Sequence, residues 1–182
     1  MKRLLLLAVL LTGCQTLVDK PAEVPFRDCY VEITDPQAHA FVREALTLLT
    51  EKYAGPRQPV ETVHLRTARR NGLGRAYRIA ENFSKTEVIG PGEVVIYIAV
   101  PPGDNEFYPM LGHECGHLLD PTIEGDWEME GFCMIFSEEI CERTGHSWAA
   151  WQRRYPRRSS DPYAKAYWKA KEAERHRGTE DK

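Results

Sequence analysis

One pentapeptide constrains this chain more than any other feature: His113-Glu114-Cys115-Gly116-His117. Residues four apart share a helix face, so a helix here brings two imidazoles within reach of one metal ion. The glutamate between them then stands where it can act as a base toward a water activated by that ion. At this His and Glu content the pattern arises by chance in about 0.02 copies per chain, so its setting has to decide.

The setting favours a metal. Phe107 to Leu119 reads as one helix, stopped by Pro121, which turns Asp120 away from helical angles. Pro109 falls in the first turn, where a missing N–H is harmless. At 100° per residue Met110, His113, Glu114 and His117 share one face, and Leu111, Cys115, Leu118 and Leu119 the opposite one.

A catalytic zinc usually keeps three protein ligands and one open position. The downstream candidates are Asp120, Glu124, Asp126, Glu128, Glu130, Glu138, Glu139 and His146. Asp126 is a fitting N-cap for a helix running to about Arg143. On that wheel Glu130 shares a stripe with Trp127, Cys133, Met134, Ser137 and Cys141, whereas Glu128, Glu139 and Glu142 fall on the opposite, solvated face. A carboxylate among apolar neighbours needs a cation or a donor, so Glu130 ranks first. A glutamate in a first helical turn is also favoured by the helix dipole alone, a reading that suits Glu128 better.

His113-Glu114-x-x-His117 followed by Glu130-Gly131 resembles the gluzincin branch of the zincin metallopeptidases. The flanks His117-Leu118-Leu119 and Glu130-Gly131-Phe132 are similar to those of small intracellular gluzincins related to phage-type regulatory proteases. The likeness covers Val94 to Arg143. It implies His113, His117 and Glu130 as Zn2+ ligands, Glu114 as the catalytic general base, and a peptide or protein substrate. It also implies a sheet edge that holds substrate in extended form, with Val94–Val100 as the strand concerned. A Tyr or His outside the motif would steady the developing oxyanion, and His146, Tyr155 and Tyr163 are all eligible. Two departures stand out. Only 12 residues separate His117 from Glu130, and Met134 replaces the acid that often orients a histidine, leaving Ser137 and Asp120 as substitutes. Asp120 and Ile123 stand where a metzincin needs Gly and His, and no cysteine lies where a deformylase needs its ligand.

The N-terminus carries a different signal. Lys2 and Arg3 precede the apolar run Leu4 to Leu11, which is too short to span a bilayer. Leu11-Thr12-Gly13-Cys14 resembles the lipobox of bacterial lipoproteins. That resemblance implies cleavage after residue 13, lipidation of Cys14 and a membrane anchor. Gln15 after the cysteine favours the outer membrane, facing the periplasm. Residues 14–26, with Pro21 and Pro25, read as a tether. Residues 27–170 fit one metallohydrolase domain, and 171–182 a charged, frayed tail. The net charge of −3 becomes more negative without Lys2 and Arg3, which argues against nucleic acid as a partner. Export permits disulfides, and Cys29, Cys115, Cys133 and Cys141 allow three pairings.

The remaining pattern predicts an α+β fold: a small mixed or antiparallel sheet, a backing helix, the active-site helix and C-terminal helices. Asp35-Pro36 opens the backing helix, with Phe41, Ala45, Leu48 and Leu49 as its stripe and Gly55-Pro56 as its end. Val60–Thr67, Arg75–Ala80 and Glu93–Val100 read as strands, with a turn at Asn71-Gly72. Ser147 opens a helix bearing Trp148, Trp151 and Tyr155, and Tyr163, Tyr167 and Trp168 belong to a last docked helix. Arg153, Arg154, Arg157 and Arg158 form a basic cluster, read as a solvated flank rather than a lipid-headgroup contact. The functional expectation is a lipid-anchored zinc peptidase. The alternative is an inactive domain of the same fold that binds a partner.

Overall fold

The computed structural model describes residues 25–70, 84–123 and 125–180. The expectations for residues 1–24, for Asn71-Gly72, for Arg75–Ala80 and for Glu124 lie outside the described residues.

A short 3-10 turn, Phe26–Cys29, leads into β1 (Tyr30–Glu32) and then α1 (Pro36–Tyr53). Asp35 caps α1 by accepting the N–H of Gln37 at 2.9 Å, and Phe41, Val42, Ala45, Leu48 and Leu49 are its buried face. The helix closes at Ala54, in the left-handed region at φ 64°, one residue before the expected Gly55. The strands β2 (Thr62–Ala68), β3 (Lys85–Gly90) and β4 (Glu93–Ile98) follow. α2 (Phe107–Gly116) continues as a 3-10 turn over His117–Leu119, and α3 (Trp127–Thr144), α4 (Ala149–Arg154) and α5 (Pro162–Glu180) complete the fold. The fold is mixed α+β, with five α-helices among the described residues. None of them is long and apolar enough to cross a membrane.

The sheet is mixed, in the order β1-β2-β4-β3. β2 runs parallel to β4, with Thr62 opposite Glu93 and Thr67 opposite Ile98. β1 is antiparallel to β2 and β3 antiparallel to β4. This corrects the expected substrate edge. The strand within Val94–Val100 is β4, paired on both sides, and β3 is the outermost described strand beside it. The reason is written in the side chains of β4. Val94, Ile96 and Ile98 enter the core beneath the helices, and Val95 and Tyr97 pack with Cys29, Tyr30 and Ala68 on the other face. A strand buried on both faces reads as a continuous apolar run, which marks a centre rather than an edge.

Helices α2 and α3 pack tightly because Gly116 has no side chain. A Cβ there would sit 2.9 Å from both Cα and Sγ of Cys133, closer than carbon atoms in contact can approach. This close approach brings the first turn of α3 against the end of α2. α5 is pressed onto α3 in the same way, since a Cβ on Gly131 would lie 2.7 Å from the Ala166 carbonyl oxygen. α5 continues in helical form to Glu180, past the expected domain limit at 170, and Lys171 pairs with Glu138 at 2.6 Å.

Candidate metal centre

The end of α2 and the start of α3 bring together the three residues ranked first from sequence. Ligand atoms of His113, His117 and Glu130 all lie within 4.8 Å of one another, a group that can hold a metal ion. His113 Nε2 is 3.0 Å from Glu130 Oε2, and His117 Nε2 is 3.8 Å from Glu130 Oε1. Despite its approach to His113, the buried Oε2 makes no aligned hydrogen bond. Two imidazoles and one carboxylate are a donor set that zinc accepts.

Local sequence explains the convergence. Asp126 caps α3 by accepting the N–H of Glu128 at 2.8 Å, which sets the helix start and turns Glu130 inward. The link from His117 is short but firmly held. The Leu119 carbonyl accepts the Arg57 N–H at 2.8 Å. The Asp120 carboxylate takes the Thr122 hydroxyl at 2.6 Å and the Arg57 guanidinium at 3.1 Å. The hydrogen bonds from Thr122, together with Arg57, hold its pKa below the ordinary carboxylate value.

The other candidate ligands among the described residues are engaged elsewhere. Glu138 accepts the Tyr167 hydroxyl. Glu139 is bound by Lys52 and Tyr53. His146 stacks on Tyr108 with ring centroids 3.4 Å apart, and Glu128 is exposed beside Lys169. Cys29, Cys115, Cys133 and Cys141 are buried and form no disulfide with one another.

Ser137 and Asp120 do not orient a histidine, a second correction. The Ser137 hydroxyl donates to the Pro109 carbonyl at 2.5 Å and accepts the Trp148 indole N–H at 2.9 Å. Asp120 is spent on Thr122 and Arg57. His113 Nδ1 is buried with no hydrogen-bond partner among the described residues.

Burial and neighbouring charges shift two of the three groups. Burial, then the neighbouring His113, lowers the His117 pKa to about 4, with Glu130 opposing. His117 is therefore neutral near pH 7, as a ligand must be. Burial alone would raise Glu130, but the two imidazoles more than offset it, and the carboxyl titrates below its ordinary value. Glu114 goes the other way. It is 5% exposed, and burial pushes it up to about 7, against the opposing pull of His113 and a hydrogen bond from Thr86.

A cleft of about 300 Å³ opens over the group, with Glu114, Thr86, Ile123 and Tyr163 in its walls. A second cavity of about 280 Å³ shares Ser84, His113, Glu114 and Tyr163 and extends to Trp151 and Tyr155. Of the three residues eligible to face an oxyanion, only Tyr163 lines the metal cleft. Its ring meets His113 edge-on at 5.9 Å, and burial with the nearby Glu130 and Glu114 carboxylates pushes its pKa up to about 12, so it remains a donor. Sequence reasoning missed Thr86 and Ser84. The alternation in Lys85-Thr86-Glu87-Val88 was the available signal for β3.

Of the basic cluster, Arg154 pairs with Glu106 and Arg157 with Glu172. Searches among known protein families, curated proteins and solved structures found no match for this chain.

Proposed function

We propose that this chain is a zincin-type zinc metallohydrolase, a peptidase, tethered to the bacterial cell envelope through lipidated Cys14. The observation that carries the reading is the meeting of His113, His117 and Glu130 from two helices, with the buried Glu114 carboxyl in the same cleft. Zinc, when bound there, supplies Lewis acidity that activates water and polarises a carbonyl. Glu114 takes a proton from the attacking water and returns it to the leaving amine nitrogen. A buried carboxyl beside the ligand group is placed for both transfers. Tyr163 donates its hydroxyl hydrogen toward the oxygen that becomes negative. An extended peptide lies along β3, the outermost described strand, using main-chain hydrogen bonds.

Metal analysis by mass spectrometry, with a peptide-hydrolysis assay, tests this. One zinc per chain is expected in the parent and in Glu114→Gln, with turnover lost in the latter. Zinc is lost or weakened in His113→Ala and Glu130→Ala. A folded parent that takes up no zinc when it is offered refutes the reading.

The unpartnered Nδ1 of His113 favours a second reading, a zincin-like binding module without turnover, because ligating histidines ordinarily have that nitrogen held. Retained zinc with no cleavage of any peptide selects it.

A further inference from the structure

We infer that Thr86 is a positioning residue that holds the Glu114 carboxylate for proton transfer. This rests on Glu114 being the base. The Thr86 hydroxyl lies 2.9 Å from Glu114 Oε2 and 2.8 Å from the Glu114 main-chain oxygen. Both residues are buried, at 8% and 5% exposure. The last torsion of a glutamate is broad and poorly defined by sterics, so a carboxylate at a cleft wall is aimed by the groups that bond to it. Among the described residues Thr86 is the side chain that reaches Glu114, its one hydroxyl hydrogen shared between the main-chain oxygen and Oε2 of the carboxylate. Glu114 itself lines the cleft, so a carboxylate held at one oxygen keeps the other for a substrate water.

The anchor itself is rigid. Thr86 sits in β3 opposite Ile96 of the central strand β4, and β-branching restricts its χ1. Its position on the outermost described strand adds a consequence. A peptide aligned along β3 runs past the residue that aims the base, so substrate register and base position are set by one strand. A purely structural role, tying β3 to α2 through the main-chain oxygen, predicts a loss of stability instead. The two roles separate experimentally.

Thr86→Val keeps the shape and removes the hydroxyl, and Thr86→Ser restores it. Thr86→Ala serves if the valine variant does not fold. Each is assayed as the zinc-loaded chain with an internally quenched peptide taken from a mixed library, beside Glu114→Gln. The expected result for Thr86→Val is full zinc content, KM within twofold and kcat down by about 10–100-fold, with Thr86→Ser within about threefold of the parent. Crystal structures of the zinc-loaded variants give a readout independent of turnover, and the carboxylate should leave its parental position in Val or Ala and keep it in Ser. Parental kcat in Thr86→Val, or a carboxylate unmoved in its crystal structure, overturns the proposal while leaving Glu114→Gln to judge the base. An active Glu114→Gln overturns both.

Discussion

Glu114→Gln should abolish turnover and at the same time stabilise the metal-free protein at neutral and alkaline pH. Burial raises the folded-state pKa of Glu114 from 4.5 to about 7. The groups that act on it are His113 and Glu130 by charge and Thr86 by hydrogen bond. Below pH 4.5 the carboxyl is protonated in both states and has no effect. Between 4.5 and 7 the unfolded chain has released a proton that the folded chain still holds, so stability falls as pH rises. At 1.36 kcal/mol per unit, the loss reaches about 3 kcal/mol above pH 7. Gln is neutral throughout and retains an oxygen to accept from Thr86, so it escapes the loss. His117 has the opposite sign. Its pKa falls from 6.5 to about 4, so stability rises with pH across that window, and in the parent the two slopes largely cancel between about 4.5 and 6.5. Removing Glu114 should expose the rising His117 limb. Urea unfolding followed by tryptophan fluorescence, in chelator at pH 4.5 and pH 8, reads both effects. The expected gain of Glu114→Gln over parent is about 3 kcal/mol at pH 8, close to 6–12 °C in Tm, and near zero at pH 4.5. A variant no more stable than the parent at pH 8 would show that the carboxyl is not desolvated, and the assignment of its raised pKa would fall.

Three further outcomes follow from the packing and the ligand group. Gly116→Ala forces a methyl against the Cys133 backbone and should cost about 1–3 kcal/mol while weakening zinc binding, read by urea unfolding and by zinc titration. Ser137→Ala strands the buried Trp148 indole N–H, at about 1–3 kcal/mol for the donor left unpaired, with zinc content unchanged. Zinc at a hundred times its Kd should stabilise the parent by about 2.7 kcal/mol, and Glu130→Ala should abolish that gain in a thermal-shift measurement.

The metal group was legible in the sequence because each of its parts is a local helical fact. His113 and His117 share a face by spacing, and Glu130 follows from the Asp126 cap and the apolar stripe around it. The backing helix was legible for the same reason, through Asp35, Pro36 and its buried stripe. What escaped was long-range pairing. Nothing near Val94–Ile98 says that β2 and β3 flank it, although its two-faced hydrophobicity carried the hint. Thr86 meets Glu114 across 28 positions of chain, through a short strand whose partly buried residues leave a weak pattern. Ser137 was rightly placed on an inward face, yet its partners, Pro109 and Trp148, belong to two other elements that no single-helix wheel can bring to it.

The short spacing between His117 and Glu130 is better understood as the cause of the site's form than as a defect in it. Twelve residues leave no room for an intervening element, so the chain must turn at once. It does so through the 3-10 turn His117–Leu119, the Asp120–Arg57 clasp and the left-handed Gly125 at φ 70°, and α3 starts immediately afterwards. A turn this tight forces α3 to lie close against α2, and Gly116 is the residue that makes such closeness sterically possible. Met134, four residues after Glu130, is buried where the two helices meet. On this argument, inserting two glycines after Gly125 should loosen zinc binding more than removing the Arg57 clasp does, because the insertion frees α3 as a whole and the clasp holds only one end of the turn. Zinc affinities of the two variants by competition with a chromophoric chelator decide between these, and equal losses would refute it.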